Sequence, residues 1–266
     1  MGGTGAMTLA TGRGVLITGS ALGLGLELAR SFAKAGDRVF LTDILPEVSD
    51  AATALSRETG QPVGSSVVDL SETGAADHLA AIATEQLGGI DILVNNAVIR
   101  KMAPVQALAD SDWDKALEVN LSAPFRLIRA CLPGMQARGW GRIVNMASVY
   151  SLIALAGRAD YVTTKHAMVG LTRTVALELA STAITCNAIC PGLMATDSAL
   201  VRIEELAAEK GISTEEATRL FLSTRQPGGK FIPIETVTAL ALFLCGAASE
   251  GINGAAIPVD NGWSFA

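Results

Sequence analysis

The sequence predicts an α/β protein: a doubly wound parallel sheet of seven strands with helices on both faces. Three observations predict it. Short β-branched runs, apolar throughout, alternate with longer Ala/Leu-rich segments of helical period, as in a sheet covered on both sides. The chain is 266 residues long, half apolar and only 17% charged, which is ample material for one large core. A glycine-bearing turn follows the first strand directly and opens the first helix.

In chain order, a strand at 14–18 leads to a helix near 25–35, and a strand at 38–42 to a helix at 48–59. A strand at 63–68 precedes a helix at 75–87. A strand at 90–94 precedes one long helix at 112–138. The run 142–146 is followed by a helix at 159–179. After a strand at 184–189 the alternation breaks at 193–226, then resumes with a helix at 233–245 and a last strand at 255–259. Right-handed crossovers wind such a series into a two-sided sheet.

No linker, repeat or low-complexity tract marks a second domain. Residues 1–13 are expected to be a disordered or tag-like N-terminus, with Met7 a candidate natural start and Gly2 to Ala6 a remnant. Residues 14–266 then form a single domain. The segment 193–226 is long and charged (Arg202, Glu204, Glu205, Glu209, Lys210, Glu215 and Glu216) and lies beyond a strand's carboxyl end. That suits a lid over an active site, with a surface helical hairpin as the alternative.

The formal charge of −6 and the lack of any basic run exclude a surface that tracks nucleic-acid phosphates. The opening residues lack the basic and apolar regions of a signal peptide, and the longest apolar stretch, 237–245, is too short to span a bilayer. Four cysteines show no CxxC pair and no histidine at ligand spacing, so no metal site is expected. Buried reduced thiols in a cytoplasmic protein are the plain reading.

The turn reads Thr18-Gly19-Ser20-Ala21-Leu22-Gly23-Leu24-Gly25. Glycines allow positive φ and let backbone N–H groups approach a pyrophosphate at a helix N-terminus. Asp43 ends the second strand, eighteen positions past Gly25, where a carboxylate accepts bonds from ribose hydroxyls and repels a 2′-phosphate. No Arg or Lys stands among Ser20, Ala21 and Leu22 or just after Asp43. The pattern describes a Rossmann-like dinucleotide site and favours NAD over NADP. Asp43 as a plain turn residue before Pro46 is the alternative.

The sequence has two tyrosines, Tyr150 and Tyr161. Tyr161 and Lys165 are four apart near a helix start and share a face. Alcohol oxidation needs a base, and a phenol with a pKa of about 10 becomes one when a nearby cation stabilises phenolate. Lowering that pKa by about three units corresponds to roughly 4 kcal/mol. Ser148, at a strand end, offers a hydroxyl to a substrate oxygen. Asn120, a poor helix former inside the predicted long helix, offers an amide to hold a water against Lys165 and relay protons.

Taken together, Thr18–Gly25, Asn95-Asn96-Ala97, Asn120, Ser148, Tyr161 with Lys165, and Pro191-Gly192 resemble the short-chain dehydrogenase/reductase family in order and spacing, over essentially the whole chain. The resemblance implies that Tyr161 is the general acid/base and that Ser148 orients substrate. Lys165 holds the nicotinamide ribose, and Asn120 supports the relay. It implies further cofactor contacts from Gly19, Ser20, Leu22, Gly23, Leu24, Asp69 (at adenine), Leu70, Asn96, Ala97, Leu193 and Thr196, and a homotetramer. Val98 departs from the family's usual Gly and could crowd the nicotinamide side.

Within the family the chain is similar to 3-hydroxybutyrate dehydrogenases, notably along 132–142, 184–192 and 226–263. Its substrate-facing positions differ: Arg100, Tyr150, Arg158 and Arg202 stand where those enzymes carry Gln, His, Lys and Gln. Arginines converging on one pocket are costly without an anion and suit a carboxylate, sulfonate or phosphate. Arg158 and Arg202 are also similar to a pair in dehydrogenases of hydroxyalkyl sulfonates. Arg100 and Arg202 as solvated surface charges are the alternative. The expected activity is NAD-dependent interconversion of a secondary alcohol and a ketone on a small anionic hydroxy substrate, such as a 3-hydroxybutyrate-like acid. A hydroxyalkyl sulfonate or sulfo-sugar dehydrogenase, a 3-oxoacyl or sugar reductase, and a non-catalytic NAD-binding sensor are the other readings.

Overall fold

The computed structural model describes residues 12–223 and 225–266, without the side chains of Asp197 and Ser198. The expected N-terminal segment therefore lies outside the described residues, except at Gly12 and Arg13. Arg13 corrects that expectation. Its buried guanidinium pairs with the Asp37 carboxylate at 2.6 Å and donates to the Cys245 carbonyl. The ordered fold thus starts before residue 14.

Seven parallel strands form one sheet in the order β3-β2-β1-β4-β5-β6-β7. They are β1 (Gly14–Thr18), β2 (Arg38–Asp43), β3 (Gly64–Val67), β4 (Ile92–Asn95), β5 (Gly141–Met146), β6 (Ile184–Pro191) and β7 (Ala256–Val259). Helices α1 (Gly23–Lys34), α2 (Val48–Thr59) and α9 (Ile234–Leu244) cover one face. The other is covered by α3 (Ala75–Leu87), α5 (Ala123–Arg138) and α6 (Ala159–Glu178).

Strand alternation divides the core between the two faces. In β1, Val15 and Ile17 join the cluster containing Leu28, Phe32, Leu55 and Leu244. Leu16 joins the opposite cluster, with Leu79, Leu127 and Met135. Every residue of β1 and β5 is buried, so these central strands carry no polar face to mark an orientation.

Chain direction across the sheet reverses between β1 and β4, which neighbour one another although two strands separate them in sequence. The crevice beyond their carboxyl ends is where open α/β sheets bind ligands. The glycine turn after β1, Asp43 at the end of β2, Asn96 after β4, Ser148 after β5 and Gly192 after β6 all open onto it.

One element differs from the sequence expectation. The long helix is broken into α4 (Asp110–Leu117), a π-helical turn (Glu118–Ser122) and α5. The segment 193–226 forms two packed helices, α7 (Asp197–Lys210) and α8 (Thr214–Ser223). Among the described residues no helix is long and apolar enough to cross a membrane, and no cluster of metal-ligating side chains occurs.

Candidate active site

The turn after β1 is shaped by contacts that exclude side chains. Gly19 has φ +63°, and a Cβ there would lie 2.7 Å from the Ala97 backbone. A Cβ on Gly25 would lie 2.0 Å from the Gly19 carbonyl oxygen. Gly23, at φ +58°, faces open space on the cavity side. Asn96 ties this turn to β4: its amide donates to the Thr18 and Gly19 carbonyls at 3.0 and 2.8 Å. The Thr18 hydroxyl in turn accepts the N–H groups of Asn96 and Ala97. The first turn of α1 has no acidic side chain and no side-chain cap, so its N–H groups and dipole face the cavity unopposed.

Asp43 accepts one backbone N–H on each oxygen, from Ala21 at 3.0 Å and Leu45 at 3.2 Å. Those bonds fix the carboxylate and leave a lone pair on each oxygen for a vicinal diol. Asp69 is held by the Ser71 hydroxyl and backbone N–H. These bonds keep its carboxyl below the ordinary range.

At the other end, Ser148 ends the β5 connection as the N-cap of a short turn, accepting the Tyr150 N–H at 3.2 Å. Its hydroxyl hydrogen-bonds the Tyr161 phenol. A buried ladder anchors this region: Asn95 donates to Asn145 at 2.8 Å, and Asn145 donates to Thr172 on α6 at 2.9 Å. It locks β4, β5 and α6 together beneath the reacting groups.

Tyr161 and Lys165 share one face of α6, with the ammonium 5.6 Å from the ring centroid. Burial pushes the Tyr161 phenol up from its ordinary value; the Ser148 bond and the charges of Arg100 and Arg158 oppose that rise. Burial pushes Lys165 down to about 8, and its ammonium donates to the Met146 carbonyl at 2.5 Å. The charges of Arg100 and Arg158 thus favour phenolate here, beside the Lys165 ammonium to which the sequence pointed.

One cavity of about 990 Å³ joins these groups. It is lined by Gly19, Leu22, Gly23, Leu24, Asp43, Asp69, Leu70, Asn96, Ala97, Pro191, Gly192, Leu193 and Thr196 toward the dinucleotide end. Arg100, Ser148, Tyr150, Arg158, Tyr161, Lys165 and Arg202 line the other. Its volume is at the upper end for ligand sites, which suits a dinucleotide with a second small molecule. Val98 also lines it, on the side where the sequence suggested crowding.

Two expected residues lie elsewhere. Ser20 is fully buried behind the turn, its hydroxyl spent on the Ile17 and Thr42 backbones, so it splices β1 to β2. Asn120 sits in the π turn. Its amide accepts the Ile99 N–H at 2.9 Å and donates to the Ile99 carbonyl at 2.8 Å and to Thr164. Both amide hydrogens are spent on these bonds, so the side chain positions the loop carrying Arg100.

Sequence reasoning passed over Arg225, Phe221 and Trp263, which line the substrate end. Arg225 hydrogen-bonds the Tyr150 phenol and stacks over Phe221 at 4.4 Å. The available signal was the four-residue spacing of Phe221 and Arg225 at the end of the charged segment. Arg202, by contrast, is 59% exposed and paired with Glu205 at 2.8 Å, at the rim.

The family model described as Enoyl-(Acyl carrier protein) reductase matches residues 19–264. D-beta-hydroxybutyrate dehydrogenase of Cupriavidus necator is 37% identical over 95% of this chain and 98% of its own. The enzyme so named from Rhizobium meliloti is also 37% identical, over 94% and 97%. The structure of L-sorbose reductase from Gluconobacter frateurii, complexed with NADPH and L-sorbose, superposes with a TM-score of 0.92 at 30% identity, over 97% of this chain and 98% of that one. The family model, the identities over nearly the whole chain and the shared fold show that the chain belongs to the short-chain dehydrogenase/reductase family, as an oxidoreductase of secondary alcohols that uses a nicotinamide nucleotide.

Proposed function

We propose that the protein is an NAD-dependent dehydrogenase that interconverts a secondary alcohol and a ketone on a small anionic hydroxy acid of the 3-hydroxybutyrate kind. The observation behind this reading is one cavity with Asp43 at one end and Tyr161, Arg100 and Arg158 at the other. Asp43, with no basic side chain beside it in the turn, favours a ribose diol over a 2′-phosphate. A nicotinamide dinucleotide bound along the glycine turn supplies the hydride acceptor. Asp69 and Leu70 would flank its adenine, and Lys165 its second ribose.

Ser148 and Tyr161 hold the substrate oxygen between two hydroxyls. Tyr161 takes the carbinol proton in oxidation and returns it in reduction. Arg100 and Arg158 grip the anionic group and fix the carbinol's orientation. The helices α7 and α8 close over the site as a lid and exclude water. The protein works in the cytoplasm as a homotetramer, which the four free, buried cysteines and the apolar side chains left exposed on α5, α6 and the tail suit.

The test is initial-rate reduction of NAD⁺ and NADP⁺ with 3-hydroxybutyrate, 2-hydroxypropanesulfonate, gluconate and neutral 2-butanol. A charge-assisted pair contributes about 1.5–3 kcal/mol, so an anionic substrate should exceed 2-butanol in kcat/KM by roughly tenfold to a hundredfold, with NAD⁺. Preference for NADP⁺, or 2-butanol turned over as well as every anion, overturns the reading.

A further inference from the structure

Helix α6 starts with two adjacent rows of polar side chains. Tyr161 and Lys165 form the reacting row, and Asp160 and Thr164, one residue back, form the other. Asp160 is only 1% exposed. An acidic side chain in the first turn of a helix ordinarily accepts N–H groups of its own helix end or faces water. Asp160 does neither. Its Oδ2 accepts the Lys101 N–H at 2.7 Å, from a segment 59 residues away, and its Oδ1 has no hydrogen-bond partner among the described residues. Burying a carboxylate with one oxygen unpaired is costly, and an alanine at this position would avoid the cost.

The segment that Asp160 holds is tied at every second residue. Ile99 exchanges two bonds with the Asn120 amide, at 2.9 and 2.8 Å. Lys101 donates to Asp160, and the Ala103 N–H donates to the Gly157 carbonyl at 3.1 Å, in a parallel bridge with Arg158. Asn120 also donates to Thr164 at 3.2 Å, so the row of Asp160 and Thr164 supports the segment at two points. Arg100 and Met102, between the tied residues, line the cavity. The charged and titratable groups around Tyr161 are Arg100 on this segment, Arg158 at the start of α6, Lys165 one turn on and Tyr150 in the turn after β5. Of these, Arg100 stands directly beside the backbone bond that Asp160 makes.

We infer that Asp160 is a positioning residue of the active site: its carboxylate fixes segment 99–103 against α6 and so holds Arg100 where its charge acts on the Tyr161 phenol. The tether and the phenol sit on consecutive residues, so any shift of the helix carries Tyr161 and Arg100 together. Without the bond, the segment keeps its anchors at Ile99 and Ala103 and bows outward between them, taking Arg100 with it. The inference rests on Tyr161 as the proton-transfer group and adds the residue that keeps its surroundings in register.

The test compares pH profiles of kcat for alcohol oxidation in Asp160→Asn and Asp160→Ala. The substrate is whichever of 3-hydroxybutyrate, gluconate and 2-butanol the parent turns over fastest, with the nicotinamide nucleotide it prefers. Both variants remove the charge, and only Asp160→Asn keeps an acceptor for the Lys101 N–H. A nearby charge shifts a pKa by about 1–3 units, so partial loss of Arg100 should put the rising limb of Asp160→Ala at least about 0.5 unit higher in pH than that of Asp160→Asn. Lys101, whose side chain is exposed, allows the same bond to be removed from the other end. Lys101→Pro deletes the N–H and Lys101→Ala keeps it, so the limb of the first should lie higher even if Asp160→Ala fails to fold. Coincident limbs within either pair, or a reversed order, overturn the inference whatever the melting temperatures do, since a merely structural tether lowers stability and leaves the limb in place. A parent profile with no rising limb, or no turnover of any of the three alcohols, overturns instead the reading of Tyr161 on which the inference rests.

Discussion

Tyr161 is pulled in two directions by its neighbours. Burial holds the proton on, while Ser148, Arg100 and Arg158 favour its departure. Oxidation needs the phenolate, so its rate should rise with pH through the Tyr161 pKa. Removing the charge of Arg158 in Arg158→Met raises that pKa, which moves the rise to higher pH. In reduction the phenol is the working form, so the fall in rate also moves to higher pH. Profiles of kcat in both directions with a neutral alcohol measure this, and a limb that stays put or moves to lower pH contradicts the assignment. The identity of these residues was legible because Tyr161 and Lys165 are local partners on one helix. Arg225 was not legible, since its meeting with Tyr150 spans 75 residues and depends on how α8 folds back. The amide bonds of Asn120 were hidden for the same reason: Ile99 lies on another element.

The strands were legible almost residue for residue because apolar runs between helical patterns leave few alternatives. The helix at 112–138 was misread as continuous. Periodicity carries no sign of a π turn, which here coincides with the tertiary bonds of Asn120. The N-terminal boundary was misread because Arg13 looks like a solvated charge until Asp37 and the Cys245 carbonyl surround it. This pair joins the start of β1 to the turn before β2. Asp37→Ala leaves a buried guanidinium unpaired, at a cost of about 3–5 kcal/mol. Thermal unfolding should therefore shift down on the order of 10 °C. The double variant Arg13→Met with Asp37→Ala should recover most of that loss. A single variant that melts with the parent would show that the pair is dispensable.

At the scale of the molecule, the sheet order puts every loop that carries chemistry at one edge, and the two helical layers leave distinct faces toward solvent. Leu177 on α6 and Phe265 in the tail are 79% and 82% exposed, and Phe125 on α5 is also exposed. Surfaces with several such side chains are covered in assemblies more often than they are left open. Light scattering should give a mass near four times the 27.4 kDa of the chain, and a monodisperse monomer would contradict the homotetramer.

The most direct measurement of the central claim is steady-state turnover of Tyr161→Phe alongside its affinity for NADH. The change deletes one hydroxyl from the bond with Ser148 and leaves the ring, Lys165 and the glycine cradle in place. General acid/base groups contribute about 10²- to 10⁴-fold, so kcat should fall by that range while NADH affinity stays within about threefold. A kcat within about tenfold of the parent, with NADH bound normally, would contradict the proposal that Tyr161 moves the proton.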